Sequence, residues 1–263
     1  MPMKKPIHMT GRDLAGMVQL RPQDMGKYVI IPGTPDRLEA LVKKIKSPLK
    51  NFSFMEHTMY TGEYEGTKIT AINGGMFAAN TAITTEIVCN VQAENLIRLG
   101  SCGALREDIK VGDLVLTTGS IRGEGVTPYY VDDKFQTLPD AVLTGALEKA
   151  AEKLGIKLHK GKVWSTDALL RETKELVEEK AEAGAIAVDM VSSTLLTIAQ
   201  TYKVKAASIL AVSDNVMTGE MGFTNPAYYI AQSTMINLAL EAVKILEGKN
   251  EDLSSFLAEP TKK

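Results

Sequence analysis

Cysteine is nearly absent from this chain: its 263 residues include two, Cys89 and Cys102, and a single tryptophan. Two thiols exclude a disulfide framework. Histidine is also scarce, and His8, His57 and His159 form no metal-ligand spacing with those cysteines, so no metal centre is expected. No sign of charge dominates, since 30 Lys and Arg face 32 Asp and Glu for a formal net charge of -2. That balance gives no electrostatic footprint for nucleic acid, and no basic helix face suggests a membrane surface. No run of about 18 apolar residues occurs, and the opening MPMKKPIHMTGRDLAGM lacks a signal-peptide apolar core. A soluble, cytoplasmic protein is expected. Repeats, low-complexity tracts and Pro/Gly/Ser-rich linkers are missing too, leaving chain enough for one large α/β domain or two small ones.

What is present is an alternation. YVIIP (28–32) is apolar and β-rich and stops at Gly33; TKITAIN (67–73), ENLIRLG (94–100) and DLVLTTGSI (113–121) read likewise, with a helix over 78–92. Leu143, Leu147, Ala150 and Leu154 recur at helical spacing before Gly155. KVWSTD (162–167) and AIAVDM (185–190) are strands around a charged helix near 172–183; Arg171 and Glu172 either contact a ligand base or start that helix, and the helix start is the favoured reading. KAASILAVSD (205–214) is the pattern of a strand covered on both faces. Met235, Leu238, Ala242 and Ile245 stripe a last helix that ends near Gly248. Alternating strands and helices predict an α/β sheet with helices on both sides, and such sheets bind ligands beyond the carboxyl ends of their strands.

Four of those ends carry unusual residues: PGTPDR (32–37), GGMF (74–77), RLGSCG (98–103) and VSDN (212–215). Gly33 lets a ligand approach the backbone, and Arg37 falls in the first turn of the next helix, a combination suited to an oxyanion. RLGSCG repeats the theme with Arg98 and the Ser101 hydroxyl. Alone, each is equally a turn beside a solvated arginine. Together they make one phosphate site, provided the two guanidinium groups converge. Neither PGTPDR nor GGMFAAN has the G-x-G-x-x-G spacing of a dinucleotide fold.

Taken in order, these pieces resemble the nucleoside phosphorylase family that includes uridine phosphorylases and the hexameric purine nucleoside phosphorylases. The likeness runs from about residue 20 to residue 247, through PGTPDR, TGEYEG (61–66), GGM (74–76), RLGSCGA (98–104), GDLVLTTGSIR (112–122), STD (165–167), VDMVSS (188–193) and VSD (212–214). It implies a single-domain α/β three-layer sandwich with a central mixed, partly barrel-like β-sheet flanked by helices, spanning 1–263 with an N-terminal extension (1–19) and a C-terminal tail (250–263). The implied reaction is phosphorolysis of a nucleoside to free base and pentose 1-phosphate, with inorganic phosphate as co-substrate and no cofactor. Gly33, Arg37, Arg98, Gly100 and Ser101 would hold phosphate. Met76, Asp189, Met190 and Val191 would face the sugar. Cys102, Gly103, Leu169 and Asp214 would face the base, with Asp214 as the acid for the leaving base, which favours a purine or 6-oxopurine. No histidine is placed to activate Cys102, which reads as a packing residue. Otherwise Asp214 is a helix N-cap. Relatives of this length form hexamers built from dimers that share active sites.

Departures from the family pattern bear on the sugar. The glutamate that accepts hydrogen bonds from the ribose hydroxyls is replaced by Val191, with Asp189 two residues earlier on the expected strand as a substitute acceptor. Positions that a neighbouring subunit contributes read Met17 for a histidine and Met55 for an arginine, Phe77 replaces a glycine, and Leu169-Leu170 replaces an aromatic pair. A more apolar pocket fits a deoxy or modified sugar. It also fits a weakened or non-catalytic member that binds nucleoside or phosphate on the same scaffold.

Overall fold

Residues 6–248 are described by a computed structural model, and the expected tail at 250–263 lies outside them. Thr10 caps the first helix, α1 (Gly11–Met17), through its hydroxyl and the Asp13 carboxylate. Strand β1 (Tyr28–Pro32) is buried throughout and leads into α2 (Pro35–Val42), where Thr34 accepts from the Arg37 amide and Pro35 occupies the first turn. Next come β2 (Lys46–Phe54), β3 (His57–Tyr64) and β4 (Thr67–Ile72), then α3 (Ala78–Asn90), β5 (Asn95–Ala104) and β6 (Leu114–Gly123). Helix α4 (Ala141–Lys153), β7 (Leu158–Thr166), α5 (Lys174–Glu182), β8 (Ala185–Asp189) and α6 (Ser192–Thr201) follow. The described chain ends with β9 (Lys205–Asn215), β10 (Glu220–Met221) and α7 (Pro226–Leu246).

The strands form one sheet in the order β10-β9-β6-β7-β8-β5-β1-β4-β3-β2. A further β5–β9 pairing closes β9, β6, β7, β8 and β5 into a five-stranded barrel. Pairing is mixed: β5 is parallel to β1 and β9 but antiparallel to β8. Cys102, Val115, Val163, Ala187 and Leu210, one from each barrel strand, share a buried apolar cluster that fills the barrel. Two larger clusters lie on either side of the sheet. One packs β1 and β5 against α2, α4 and α7, the other packs the sheet against α1, α3 and α6. The expected three-layer α/β sandwich with a partly barrel-like sheet is therefore the architecture observed. Among the described residues, no helix is long and apolar enough to cross a membrane.

Several local expectations change. The expected N-terminal extension (1–19) carries α1, whose Ala15 belongs to the core beside Leu20 and Val29. The β2–β3 hairpin has no sequence signature because β2 is an edge strand, mostly exposed and interrupted by Pro48. Helix α6 is hidden for the opposite reason: Ser192 through Ala199 are all buried, so no amphipathic period exists. The glycine-rich segment expected as a loop is strand, since β9 pairs in parallel with β5 from Asn95 through Ala104.

Candidate active site

The carboxyl ends of β1 and β5 lie side by side because Pro32 pairs with Leu99. That register brings Arg37, three residues into α2 from its cap, to the exit of β5. Arg37 is 3% exposed and donates from Nη1 to the Leu99 carbonyl (2.8 Å) and from Nη2 to Ser101 Oγ (2.8 Å) and Gln232 Oε1 (2.9 Å). Arg98, 4% exposed, donates from Nη2 to Asp189 Oδ2 at 3.2 Å. Its Nη1 has no hydrogen-bond partner. Both guanidinium groups converge on Gly33, where an added Cβ would lie 3.7 Å from Arg98 Nη1 and 3.9 Å from Arg37 Nη1. The bare glycine is what leaves the space between them open.

Burial brings the Arg37 pKa down to about 10, with the Arg98 charge adding to the effect and Tyr228 opposing it. Burial also lowers Arg98, against the support of Asp189. Two desolvated cations facing one gap, one with an unused donor, are an arrangement suited to an anion. Ser101 Oγ also pairs with Tyr228 Oη at 2.7 Å, and with the tyrosine as donor the serine proton is free for the anion.

Gly100 holds the Arg98 side chain by having none of its own. A Cβ there would strike Leu210 and sit 2.7 Å from Arg98 Nη2 and 2.9 Å from its Cζ. Gly100→Ala is therefore expected to swing the guanidinium off its Asp189 contact and to cost about 1–3 kcal/mol by overpacking. A thermal melt and calorimetric binding of inorganic phosphate, both expected to worsen, check this; unchanged phosphate binding refutes it.

A cavity of roughly 210 Å³ opens beside this anion site. Its walls include Gly33, Arg37, Arg98, Gly100 and Ser101 at one end, with Met76, Val188, Asp189 and Met190 along one side. Cys102, Gly103, Leu169, Glu172, Asp214, Phe223 and Tyr228 also line it. Of the residues assigned to phosphate, sugar or base in the sequence, all but Val191 line it. Strand β8 stops at Asp189, so Val191 is not on the strand face with it but stands at the start of α6, fully buried.

Asp189 lines the cavity, yet its carboxylate already accepts from Ser165 Oγ (2.6 Å), Ser192 Oγ (2.7 Å), the Ser192 amide (2.9 Å) and Arg98. Three of these donors go to Oδ2 and Ser165 goes to Oδ1, and the side chain is 0% exposed. Asp189 thus anchors Arg98 while it lines the cavity. Met17 and Met55 do not line this cavity; Met55 is 75% exposed at the tip of the β2–β3 hairpin.

Asp214 lies within β9, which rules out the helix N-cap alternative. A bulge between β5 and β9 pairs Cys102 with Val212 but Gly103 with Asp214, skipping Ser213. The bulge turns Asp214 toward Gly103, where an added Cβ would lie 2.8 Å from Oδ2. Ser213 Oγ donates to Asp214 Oδ1 at 2.7 Å and fixes the carboxyl. Burial, with Asp189 and Asp214 nearby, holds the Cys102 thiol well above its usual pKa, so it stays protonated and packs.

Glu172 departs from its expected role. One turn of 3-10 helix covers Leu169–Arg171 and α5 begins only at Lys174 under the Thr173 cap, so Glu172 stands between them and faces the cavity. Tyr228 and Gln232 on α7 were not visible in the sequence either, because they lie 127 residues from Ser101 and 195 from Arg37. Among the described residues, no three His, Cys, Asp or Glu side chains are grouped to hold a metal.

Known proteins share this chain's pattern. The Phosphorylase superfamily matches residues 27–244. A uridine phosphorylase of Thermococcus kodakarensis is 30% identical over 89% of this chain and 87% of its own. A DeoD-type purine nucleoside phosphorylase of Jannaschia sp. is 30% identical over 84% of this chain and 95% of its own. The crystal structure of a purine nucleoside phosphorylase from Toxoplasma gondii, with 24% identity, superposes with a TM-score of 0.81 and covers 89% of this chain and 96% of that one. By sequence and by fold, this chain belongs to the phosphorylase superfamily.

Proposed function

We propose that the protein catalyses phosphorolysis of a nucleoside, giving free base and pentose 1-phosphate. Inorganic phosphate sits between Arg37 and Arg98, taking the unpartnered Arg98 Nη1 and the Ser101 hydroxyl. A phosphate oxygen attacks C1′ of the pentose from this position; the new C–O bond forms as the C1′–N bond breaks. The bond's electron pair goes to the base, and Asp214 supplies the proton that neutralises it. Positioning the anion beside the cation developing on the sugar is the main contribution of the site. The observation that carries this reading is the convergence of two buried guanidinium groups on Gly33.

Met76, Val188 and Met190 of the cavity wall are taken here as the sugar side, with the Asp189 carboxylate beside them committed to Arg98 and two serines. This favours a deoxy or otherwise less hydroxylated pentose. The exposed Met17 and Met55 fit subunit contacts of a dimer-based hexamer in the cytoplasm. The test is base release from a panel of ribo- and deoxyribonucleosides with and without phosphate. Release that requires phosphate is expected, with deoxyribonucleosides favoured; no release from any nucleoside would leave only a binding role.

A further inference from the structure

We infer that Gln232 positions Arg37 for the anion and, being neutral, leaves its charge uncompensated until that anion arrives. Its place in the reaction rests on the phosphorolytic reading above. Gln232 stands on the second turn of α7 and does not line the cavity. Its Oε1 accepts from Arg37 Nε at 3.1 Å and from Nη2 at 2.9 Å, which fixes the guanidinium plane from one edge. Tyr228, four residues earlier and so on the same face of α7, holds Ser101 Oγ at 2.7 Å. A guanidinium carries five N–H donors, and Gln232, Ser101 and the Leu99 carbonyl take four of those on Arg37. The remaining one is on Nη1, the Arg37 atom that faces Gly33 across the gap.

The two arginines differ in their counter-ions. Arg98 is paired with Asp189, whereas among the described residues no carboxylate pairs with Arg37. The amide at 232 supplies the directional acceptor that a carboxylate would, without the charge. A buried cation held only by neutral acceptors lacks full compensation, and an anion entering the gap supplies it. A carboxylate at 232 would compensate Arg37 permanently, stabilise the phosphate-free protein and oppose phosphate. The amide thus favours anion binding over stability of the empty site.

Calorimetric titration of inorganic phosphate into the full-length protein, with thermal melts in phosphate-free buffer, tests this on wild type, Gln232→Glu and Gln232→Leu. Both variants are expected to bind phosphate roughly ten- to a hundredfold more weakly than wild type. Their melting temperatures are expected to move in opposite directions. Gln232→Glu rises because it compensates Arg37, and Gln232→Leu falls because Nε and Nη2 lose their acceptor. A residue that only packs α7 would lower both. Wild-type phosphate affinity in either variant, or a melting temperature lowered in Gln232→Glu, overturns the role of Gln232. Should the leucine variant not fold, the glutamate variant decides alone. Base release by wild type, measured alongside, separates the two readings. Phosphate-dependent release with unchanged phosphate binding in the variants refutes Gln232 alone. No release from any nucleoside, with phosphate binding weakened as expected, refutes the reaction alone.

Discussion

Arg98→Met lowers kcat/KM for phosphate by about a thousandfold or more and also destabilises the fold. The activity loss follows from removing a buried cation and its unused Nη1 donor from the anion site; each charge-assisted hydrogen bond contributes about 1.5–3 kcal/mol. The stability loss has another origin. Arg98 and Asp189 are paired with side chains 5% and 0% exposed, so removing the arginine leaves a buried carboxylate with serine donors alone. Breaking a buried pair costs about 3–5 kcal/mol, and the serine donors place this case toward the lower end. Adding Asp189→Asn to Arg98→Met separates the effects, because the amide still bonds the serines while carrying no charge. Chemical denaturation should show stability recovering in the double variant while phosphate-dependent base release stays lost. Recovery of both would mean that Arg98 only supports the fold.

Asp214→Asn is expected to reduce kcat by about 10²–10⁴-fold with little change in the KM for phosphate. The amide is close in shape to the carboxyl and still accepts from Ser213 Oγ, so position is kept and the transferable proton is lost. A nucleoside whose purine is already alkylated at N7 leaves without being protonated. Such a substrate should therefore be spared by the substitution, while an ordinary purine nucleoside is not. Equal losses on both would assign Asp214 to packing around the β5–β9 bulge rather than to proton delivery.

The two predictions differ in how far the sequence anticipates them. PGTPDR and RLGSCG are local signals, each a glycine and an arginine at the end of an apolar run, and both bring their arginine to the gap at Gly33. The sequence cannot show that the second is strand rather than loop, because only the β9 pairing makes it so. Asp189 is a sharper case. Two-residue spacing placed it beside Val191 on one strand face, but β8 ends at Asp189 and the next turn buries Val191. The favoured helix start at Glu172 fails because the Thr173 cap begins α5 at Lys174, two residues later.

By itself the sequence determined the alternation of strands and helices, the four chemically unusual strand ends and the lack of metal-ligand spacing among its histidines and cysteines. Those properties follow from neighbours in the chain, through apolar period, turn residues and caps. Tertiary structure decided the partners: Asp189 for Arg98, Gln232 and Tyr228 around Arg37 and Ser101, and the bulge that turns Asp214 to Gly103. Closing a barrel joins residues a hundred or more positions apart, and no local pattern encodes which side chains that closure sets face to face.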